Sequence, residues 1–293
     1  MFKFRSKMLL IISLICLGLL LSVYLVMRAA IFPVPVFAFH GIVDSNNPQK
    51  LPSRAPKLDY SIQDLEIFLK YLIENNYWLL STQELLDYFI LKSQVIPSDY
   101  IKRKPIVLTF DDGYKSIDSY LLPLLNKLKA EYICQLKIVL FINPSQMKIN
   151  DSKAKVQYLS CEDIRKGIQQ GLYDIQSHGY THSDLTKVNQ EKLQFELTSS
   201  QKILQQCTAD LEQNQSVAIH FAYPYNRVNK QVEESTSRYY ISAYGANSYL
   251  RHILILRSYF RIPRIVIYKK DSPEKLIQFA KISRSILSTG QKA

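Results

Sequence analysis

Glycine is scarce in this chain, at 8 of 293 residues. That excludes collagen-like and glycine-rich repeats. No internal period of 20–50 residues is visible, which excludes a solenoid. Cysteine is scarce too. Cys16, Cys134, Cys161 and Cys207 form no Cys-x-x-Cys pair, and Cys16 lies in an apolar N-terminal run. The other three allow at most one disulfide and make a zinc–cysteine site a poor reading. Acidic residues are absent from residues 1–30. There Lys3, Arg5, Lys7 and Arg28 supply four of the twelve net positive charges, leaving +8 for the remainder. A charge of that size raises the question of nucleic acid. The basic residues are scattered, however, the densest run being Lys102-Arg103-Lys104, and no zinc-finger or RNA-recognition signature occurs. Nucleic acid is therefore not an expected partner. The charge reads as a solvated surface near anionic membrane or wall polymers.

What is present is ordinary globular material. Apolar residues make up 47% and charged residues 21%, and 20 Tyr and 13 Phe can build a core, so disorder is excluded as the main state. Residues 8–27 stand apart as a run of 20 without a charge, preceded by three basic residues. At about 1.5 Å per residue the run spans roughly the 30 Å hydrocarbon core of a bilayer. The flanking charge predicts the N-terminus inside and everything after Arg28 outside. The expectation is a membrane anchor over residues 1–30 and one extracytoplasmic domain over residues 31–293. The rival is a cleavable signal peptide, whose apolar core is usually about 7–15 residues; Ala29-Ala30 would permit cleavage. Either way the functional part lies outside the cytoplasm.

Beyond the anchor, short β-branched or aromatic runs alternate with amphipathic stretches. Strands are predicted over residues 36–39, 78–80, 105–110, 137–142, 172–176 and 217–222, near Tyr240, and over 264–267. Helices are predicted over 61–75, from 81 or 82 to about 91, and over 116–130, 161–170, 190–206, 229–237 and 273–283. In the first helix Ile62, Leu65, Phe68, Leu69 and Leu72 share one face, with Ser61 as N-cap. Residues 44–58 and 143–158 read as loops. Repeated strand-then-helix units argue for a parallel sheet with helical crossovers. About seven units favour an α/β fold closed into a (β/α) barrel, with its chemistry at the C-terminal ends of the strands.

Three short stretches follow directly on predicted strands. Thr109-Phe110-Asp111-Asp112-Gly113 places two carboxylates at a strand end, which alone usually means a turn. Ser177-His178-Gly179-Tyr180-Thr181-His182 places two histidines four apart, able to face one metal if the backbone curls; an exposed loop pair is the plain alternative. Ala222-Tyr223-Pro224-Tyr225-Asn226 is a rigid aromatic turn. Together they say more than singly. Two histidines and one carboxylate suit Zn²⁺ and leave positions open for water. The second carboxylate can then take a proton from a water whose pKa the metal lowers towards about 7.

In this order, Asp111-Asp112-Gly113, His178-x-x-x-His182 and Tyr223-Pro224-Tyr225 resemble the polysaccharide deacetylases of carbohydrate esterase family 4, the NodB homology domain. The resemblance covers most of residues 33–280. It implies a distorted (β/α) barrel, Asp111 as catalytic base, and Asp112, His178 and His182 as ligands of a divalent metal, most simply zinc. The chain departs from most members in having Ala222 where they have Arg. It also lacks their late motifs, with Trp78 as its only Trp and no histidine after His252. A subgroup with the same departures is the poly-β-1,6-N-acetylglucosamine N-deacetylases of biofilm exopolysaccharide systems, which Phe221 to Tyr225 resemble. That subgroup is circularly permuted. The resemblance therefore implies that His40, in Phe39-His40-Gly41, is the general acid, with His220 and His252 as competitors. Arg261-Ile262-Pro263-Arg264 is similar to the subgroup's late arginine-rich strand, and Arg264 is expected to supply the missing positive charge beside Asp111. Tyr223, Pro224 and Tyr225 are expected against the substrate, with Tyr223 and Tyr180 packing or stacking on sugar and the Tyr225 N–H facing the oxyanion. Asn226 stands where Gly is usual. The implied partners are an N-acetylglucosamine polymer, the membrane through the anchor, and proteins that make or export the exopolysaccharide. Peptidoglycan or chitin oligomers are the alternative substrates. A silent polysaccharide-binding protein is the alternative class, against which the retained Asp111 argues.

Overall fold

The computed structural model describes residues 13, 15–19, 22, 34–47, 51, 53–147, 156–211, 216–246 and 258–282. The expected membrane-spanning run lies mostly outside these. Among the described residues no helix is long and apolar enough to cross a membrane.

The strands are β1 (Val36–Phe39), β2 (Ile42–Val43), β3 (Tyr60–Ser61), β4 (Tyr77–Leu79), β5 (Lys104–Asp112), β6 (Ile138–Ile142), β7 (Tyr173–Ser177), β8 (His220–Ala222), β9 (Ser242–Ala246) and β10 (Ile262–Val266). Seven of them, β1, β5, β6, β7, β8, β9 and β10, form a closed parallel ring, because β1 pairs with both β10 and β5. β5 is long enough to hold two partners on one edge. Lys104, Pro105 and Ile106 pair with β4, and β1 takes over at Val107. The barrel is distorted at that handover. β6, Ile-Val-Leu-Phe-Ile, is buried throughout, as a parallel strand covered on both faces should be.

The α-helices longer than one turn are α1 (Ile62–Glu74), α2 (Leu122–Tyr132), α3 (Cys161–Gln169), α4 (Gln190–Cys207), α5 (Lys230–Thr236) and α6 (Pro273–Ala280). α1 buries Leu65, Phe68, Leu69 and Leu72, and the Ser61 side chain accepts from the Asp64 N–H, as the pattern predicted. Three expectations change. The helix predicted from 81 or 82 to about 91 is α-helical only over Thr82–Glu84 and widens over Leu85–Ile90. The predicted strand 217–222 shortens to three residues, because Ala218 at φ +54 breaks the extended chain. The predicted helix 116–130 opens with a widened turn over Ile117–Leu121. Pro123 lies just beyond it and cannot donate to the preceding turn.

A disulfide joins Cys161 at the start of α3 to Cys207 at the end of α4, 46 residues apart. Spacing alone left the choice among three cysteines open. Closing a loop of that length removes about 4 kcal/mol of unfolded-chain entropy in the loop-closure account. Replacing both cysteines with serine is expected to cost roughly 2–4 kcal/mol. The check is urea unfolding of the oxidised chain against the double variant.

The ring brings distant residues to one rim. His40 follows β1, Asp111 and Asp112 end β5, His178 follows β7, and Tyr223 follows β8.

Candidate metal and catalytic site

β5 delivers the two carboxylates. Adjacent strand residues normally point to opposite faces. Here Asp112 and Gly113 both adopt left-handed backbone, at φ +74 and +72, and the chain turns. The result is that Asp111 Oδ2 and Asp112 Oδ1 lie 3.8 and 3.7 Å from the same atom, His178 Nε2. Glycine at 113 suits this turn, by its positive φ and because a Cβ would sit in tight contact at 3.2 Å from Ile142 Cγ2.

Asp112 is buried and half satisfied. Its Oδ2 accepts from Tyr114 Oη at 2.7 Å, while Oδ1 has no hydrogen-bond partner. His182 Nε2 lies 3.2 Å from that orphaned oxygen. His178 is held from the other side of its ring. Nδ1 lies 2.7 Å from the Ala222 carbonyl, which can only accept, so Nδ1 carries the proton and Nε2 keeps a lone pair. One ligand atom each from Asp112, His178 and His182 fall within 4.8 Å of one another. A buried unpartnered carboxylate oxygen facing two imidazole nitrogens is the donor set a divalent cation takes. The electrostatics agree. Burial pulls both histidines below the usual imidazole range, His182 to about 4 with His178 beside it, so both are neutral at neutral pH. Burial opposes the Asp112 charge, but the neighbouring histidines hold its carboxyl below the usual range.

The loop between the histidines is fixed by groups outside the three motifs. The buried Glu196 carboxylate accepts from the Thr181 N–H at 2.7 Å and pairs with Lys192 at 2.9 Å. Asn143 Nδ2 donates to the Gly179 carbonyl at 3.0 Å. No role was expected of Tyr114, although it directly follows the Asp-Asp-Gly turn.

Asp111 faces a different neighbour. Arg264, inside β10, donates from Nη1 to Oδ1 at 2.7 Å and from Nη2 to Oδ2 at 2.9 Å. Both side chains are almost wholly buried. Burial alone would raise the Asp111 pKa. The guanidinium, with His178 and His40, more than offsets it and holds the carboxyl well below the usual range. Asn226 adopts φ +54, which asparagine tolerates where glycine is usual. Its Oδ1 accepts from Arg264 Nη2 at 3.2 Å, so the departure from glycine adds a contact to the arginine.

Arg264→Met is expected to destabilise the metal-free chain by roughly 3–5 kcal/mol at neutral pH, the usual cost of leaving a buried charge unpaired. The pH dependence should change sign. With Arg264 present, the depressed Asp111 pKa contributes stability above the unfolded carboxyl pKa that is lost only as strong acid is approached. Without it, burial dominates and raises that pKa, so this site's contribution is retained in acid and lost as pH rises. Thermal unfolding at mildly acidic and neutral pH checks this.

β1 sets His40 beside these carboxylates. Its last residue, Phe39, is in register with Phe110, so His40 falls next to Asp111. His40 is half-buried, and its Nδ1 is buried without a hydrogen-bond partner. His220 lies elsewhere. It starts β8, with Nδ1 2.7 Å from Ser242 Oγ and Nε2 3.2 Å from Gln83 Oε1. Burial holds it neutral, with a pKa near 3. It is a satisfied core histidine. His252 lies outside the described residues.

The aromatic turn divides into two parts. Tyr225 is exposed, holds φ +57, and its ring lies 4.5 Å from that of His182. Tyr223 is fully buried against Phe221 at 5.4 Å, and Pro224 is buried too. The direct substrate contact expected of Tyr223 and Pro224 is therefore corrected. They form the base that presents Tyr225. Tyr180 packs edge-on against Phe195 at 5.3 Å.

Comparison with known proteins gives one consistent result. The sequence model of the polysaccharide deacetylase family matches residues 99–244. YxkH of Bacillus subtilis (strain 168), which bears the name of a polysaccharide deacetylase, is 24% identical over 205 residues, 70% of this chain. The chain spans 61% of the length of that curated relative. The fold is shared with the Streptococcus pyogenes deacetylase PplD, solved with acetate, at TM-score 0.65 and 20% identity, covering 84% of this chain and 97% of that one. It is also shared with a de-N-acetylase of Aggregatibacter actinomycetemcomitans, at TM-score 0.63 and 18% identity, covering 84% and 99%.

Proposed function

Because the chain belongs to the polysaccharide deacetylase family, we propose that it is a metal-dependent hydrolase that removes N-acetyl groups from an extracellular N-acetylglucosamine polymer and releases acetate. The finer reading is poly-β-1,6-N-acetylglucosamine as the polymer, zinc as the metal, and a membrane-tethered extracytoplasmic site working beside exopolysaccharide synthesis or export proteins. One observation carries the activity. The orphaned Asp112 Oδ1 faces two lone-pair-bearing histidines beside a second carboxylate that Arg264 keeps ionised. The Cys161–Cys207 disulfide supports the extracytoplasmic reading, since such bonds persist in oxidising compartments.

A divalent cation held by Asp112, His178 and His182 supplies Lewis-acid polarisation and a water of lowered pKa. The chain's own groups do the rest. Asp111, ionised at every working pH, takes the proton as water attacks the acetamide carbonyl. Arg264 and Asn226 fix the direction in which its oxygens point. The Tyr225 N–H donates to the developing oxyanion. His40 gives a proton to the departing amine, and the sugar is left with a free amino group.

His40→Ala tests the acid. It is expected to keep the metal and lose roughly 10²–10⁴-fold in kcat on an N-acetylated glucosamine oligomer. An activated aryl acetate ester needs no proton on its leaving group, so the variant should recover much of its rate there. Wild-type activity of His40→Ala on the amide would remove His40 from the mechanism.

A further inference from the structure

The barrel end opposite the site has a surface that the chemistry does not explain. In a parallel barrel the helix-to-strand loops gather at the N-terminal ends of the strands, away from the catalytic rim. Exposed large apolar side chains concentrate there. Leu91 and Val95 lie in the loop before β5, Ile133 between α2 and β6, Ile241 directly before β9, and Tyr259 before β10. The others of this kind in the described barrel are spread out, with Tyr225 at the opposite end, Ile67 on α1 and Phe195 on α4. Ile133 is 94% exposed and holds φ 48, ψ 48. A β-branched residue adopts that left-handed conformation only against steric resistance. Single exposed aliphatic residues are unremarkable, but several gathered on one end mark a contact surface.

Basic residues accompany them. Lys92, Lys102 and Arg103 belong to the loop before β5, Lys104 opens that strand, Lys129 lies near the end of α2, and Lys137 precedes β6. The acids on the same loops are Asp99 and Glu131. Trp78, Tyr100, Arg103, Lys129 and Lys137 line a cavity of about 300 Å³. The Trp78 and Tyr100 rings lie 4.3 Å apart, and the Arg103 guanidinium covers Tyr100 at 4.8 Å. The one acid lining it, Glu84, is committed to the Ser81 N–H at 2.7 Å.

The chain also enters the barrel at this end. The Pro35 carbonyl accepts from the Val107 N–H at 3.0 Å, three residues past Lys104. Eight Cα-to-Cα steps separate Pro35 from Met27, the last of the uncharged run. Fully extended, they reach at most about 28 Å.

We propose that this end of the barrel lies on an anionic phospholipid surface. Leu91, Val95 and Ile133 enter the interfacial layer, and Lys102, Arg103, Lys129 and Lys137 meet headgroup phosphates. The inference rests on the reading of residues 8–27 as a membrane tether. The tether holds the face within reach, and the face turns the catalytic rim away from the bilayer, towards polymer.

The test uses the full chain with Cys16→Ser and Cys134→Ser. A single free cysteine beside the intact Cys161–Cys207 disulfide, Ile133→Cys or Arg227→Cys, carries an environment-sensitive fluorophore. Vesicles are phosphatidylcholine alone or mixed with phosphatidylglycerol, each with a doxyl-lipid quencher, and flotation is measured in parallel. The label at 133 should be quenched on phosphatidylglycerol vesicles and the label at 227 should not. Lys102→Glu with Arg103→Glu should raise the lipid needed for quenching by roughly fivefold or more per charge. Hydrogen exchange on the unlabelled chain gives a second readout, with residues 91–104 and 133–137 protected only by anionic vesicles. Flotation without quenching at 133 would leave the tether standing and overturn the face. So would quenching at 227 instead, or protection of 133 that follows protein concentration rather than lipid, which marks a self-association surface. Flotation only with phosphatidylglycerol, with quenching at 133, supports the face and removes the tether. No flotation with either lipid overturns both.

Discussion

Asp111→Asn should lower kcat on an N-acetylated glucosamine oligomer by roughly 10²–10⁴-fold while the metal content stays near that of the wild type. The amide keeps the shape of the carboxylate but cannot take a proton. It is not one of the three atoms that converge on the candidate metal position, so ligation is spared. Stability must be separated from chemistry, because the substitution also strands the buried Arg264 guanidinium. Breaking a buried pair typically costs about 3–5 kcal/mol. Asp111→Asn combined with Arg264→Met removes both charges and should regain much of that stability without regaining activity. Recovery of activity in the double variant would mean that Asp111 serves the fold and not the proton transfer. The measurements are urea unfolding, metal content and single-turnover acetate release on the same preparations.

His178→Ala and His182→Ala should lose metal and activity together. Each removes one of the three candidate ligands found among the described residues. The expected weakening of metal affinity exceeds the roughly 10–100-fold that loss of an outer hydrogen-bonding partner costs. Tyr114→Phe supplies that comparison within the same chain. It removes the hydroxyl on Asp112 Oδ2 and leaves all three ligand atoms in place. Titration with zinc, read by a competing chromophoric chelator, should therefore rank wild type above Tyr114→Phe, and Tyr114→Phe above either histidine variant. Undiminished affinity in both histidine variants would move the metal elsewhere.

The order of those effects follows how the site is encoded. Groups close in sequence were visible there. The Asp-Asp-Gly turn at the end of β5 and the histidine pair after β7 each bring local geometry with them, and the strand-helix alternation implied the ring that joins them. Groups that meet only through closure of the ring were not. Arg264 lies 153 residues from Asp111, and only the resemblance suggested pairing them. No local pattern says that Asn226 would accept from that arginine, or that Glu196 would hold Thr181 between the two histidines. Tyr223 was open between packing and sugar stacking for a related reason. A motif shows which residues recur together but not which face each takes, and burial against Phe221 decides that. The cysteine pairing was open because it depends on where two helix ends meet. The exposed end of the barrel was invisible for the same reason, since its apolar residues come from four separate loops.

The central claim is that Asp112, His178 and His182 hold a metal with which Asp111 hydrolyses an N-acetyl amide. It is tested most directly by acetate release from β-1,6-linked N-acetylglucosamine oligomers, using the full chain stripped by chelation and then reloaded with zinc. The prediction is no release when stripped, recovery on reloading, one free amine formed per acetate, and no recovery by reloaded His178→Ala. Acetate release that survives complete chelation, or a fully reloaded wild-type chain that releases none from this or any other N-acetylglucosamine polymer, would contradict it.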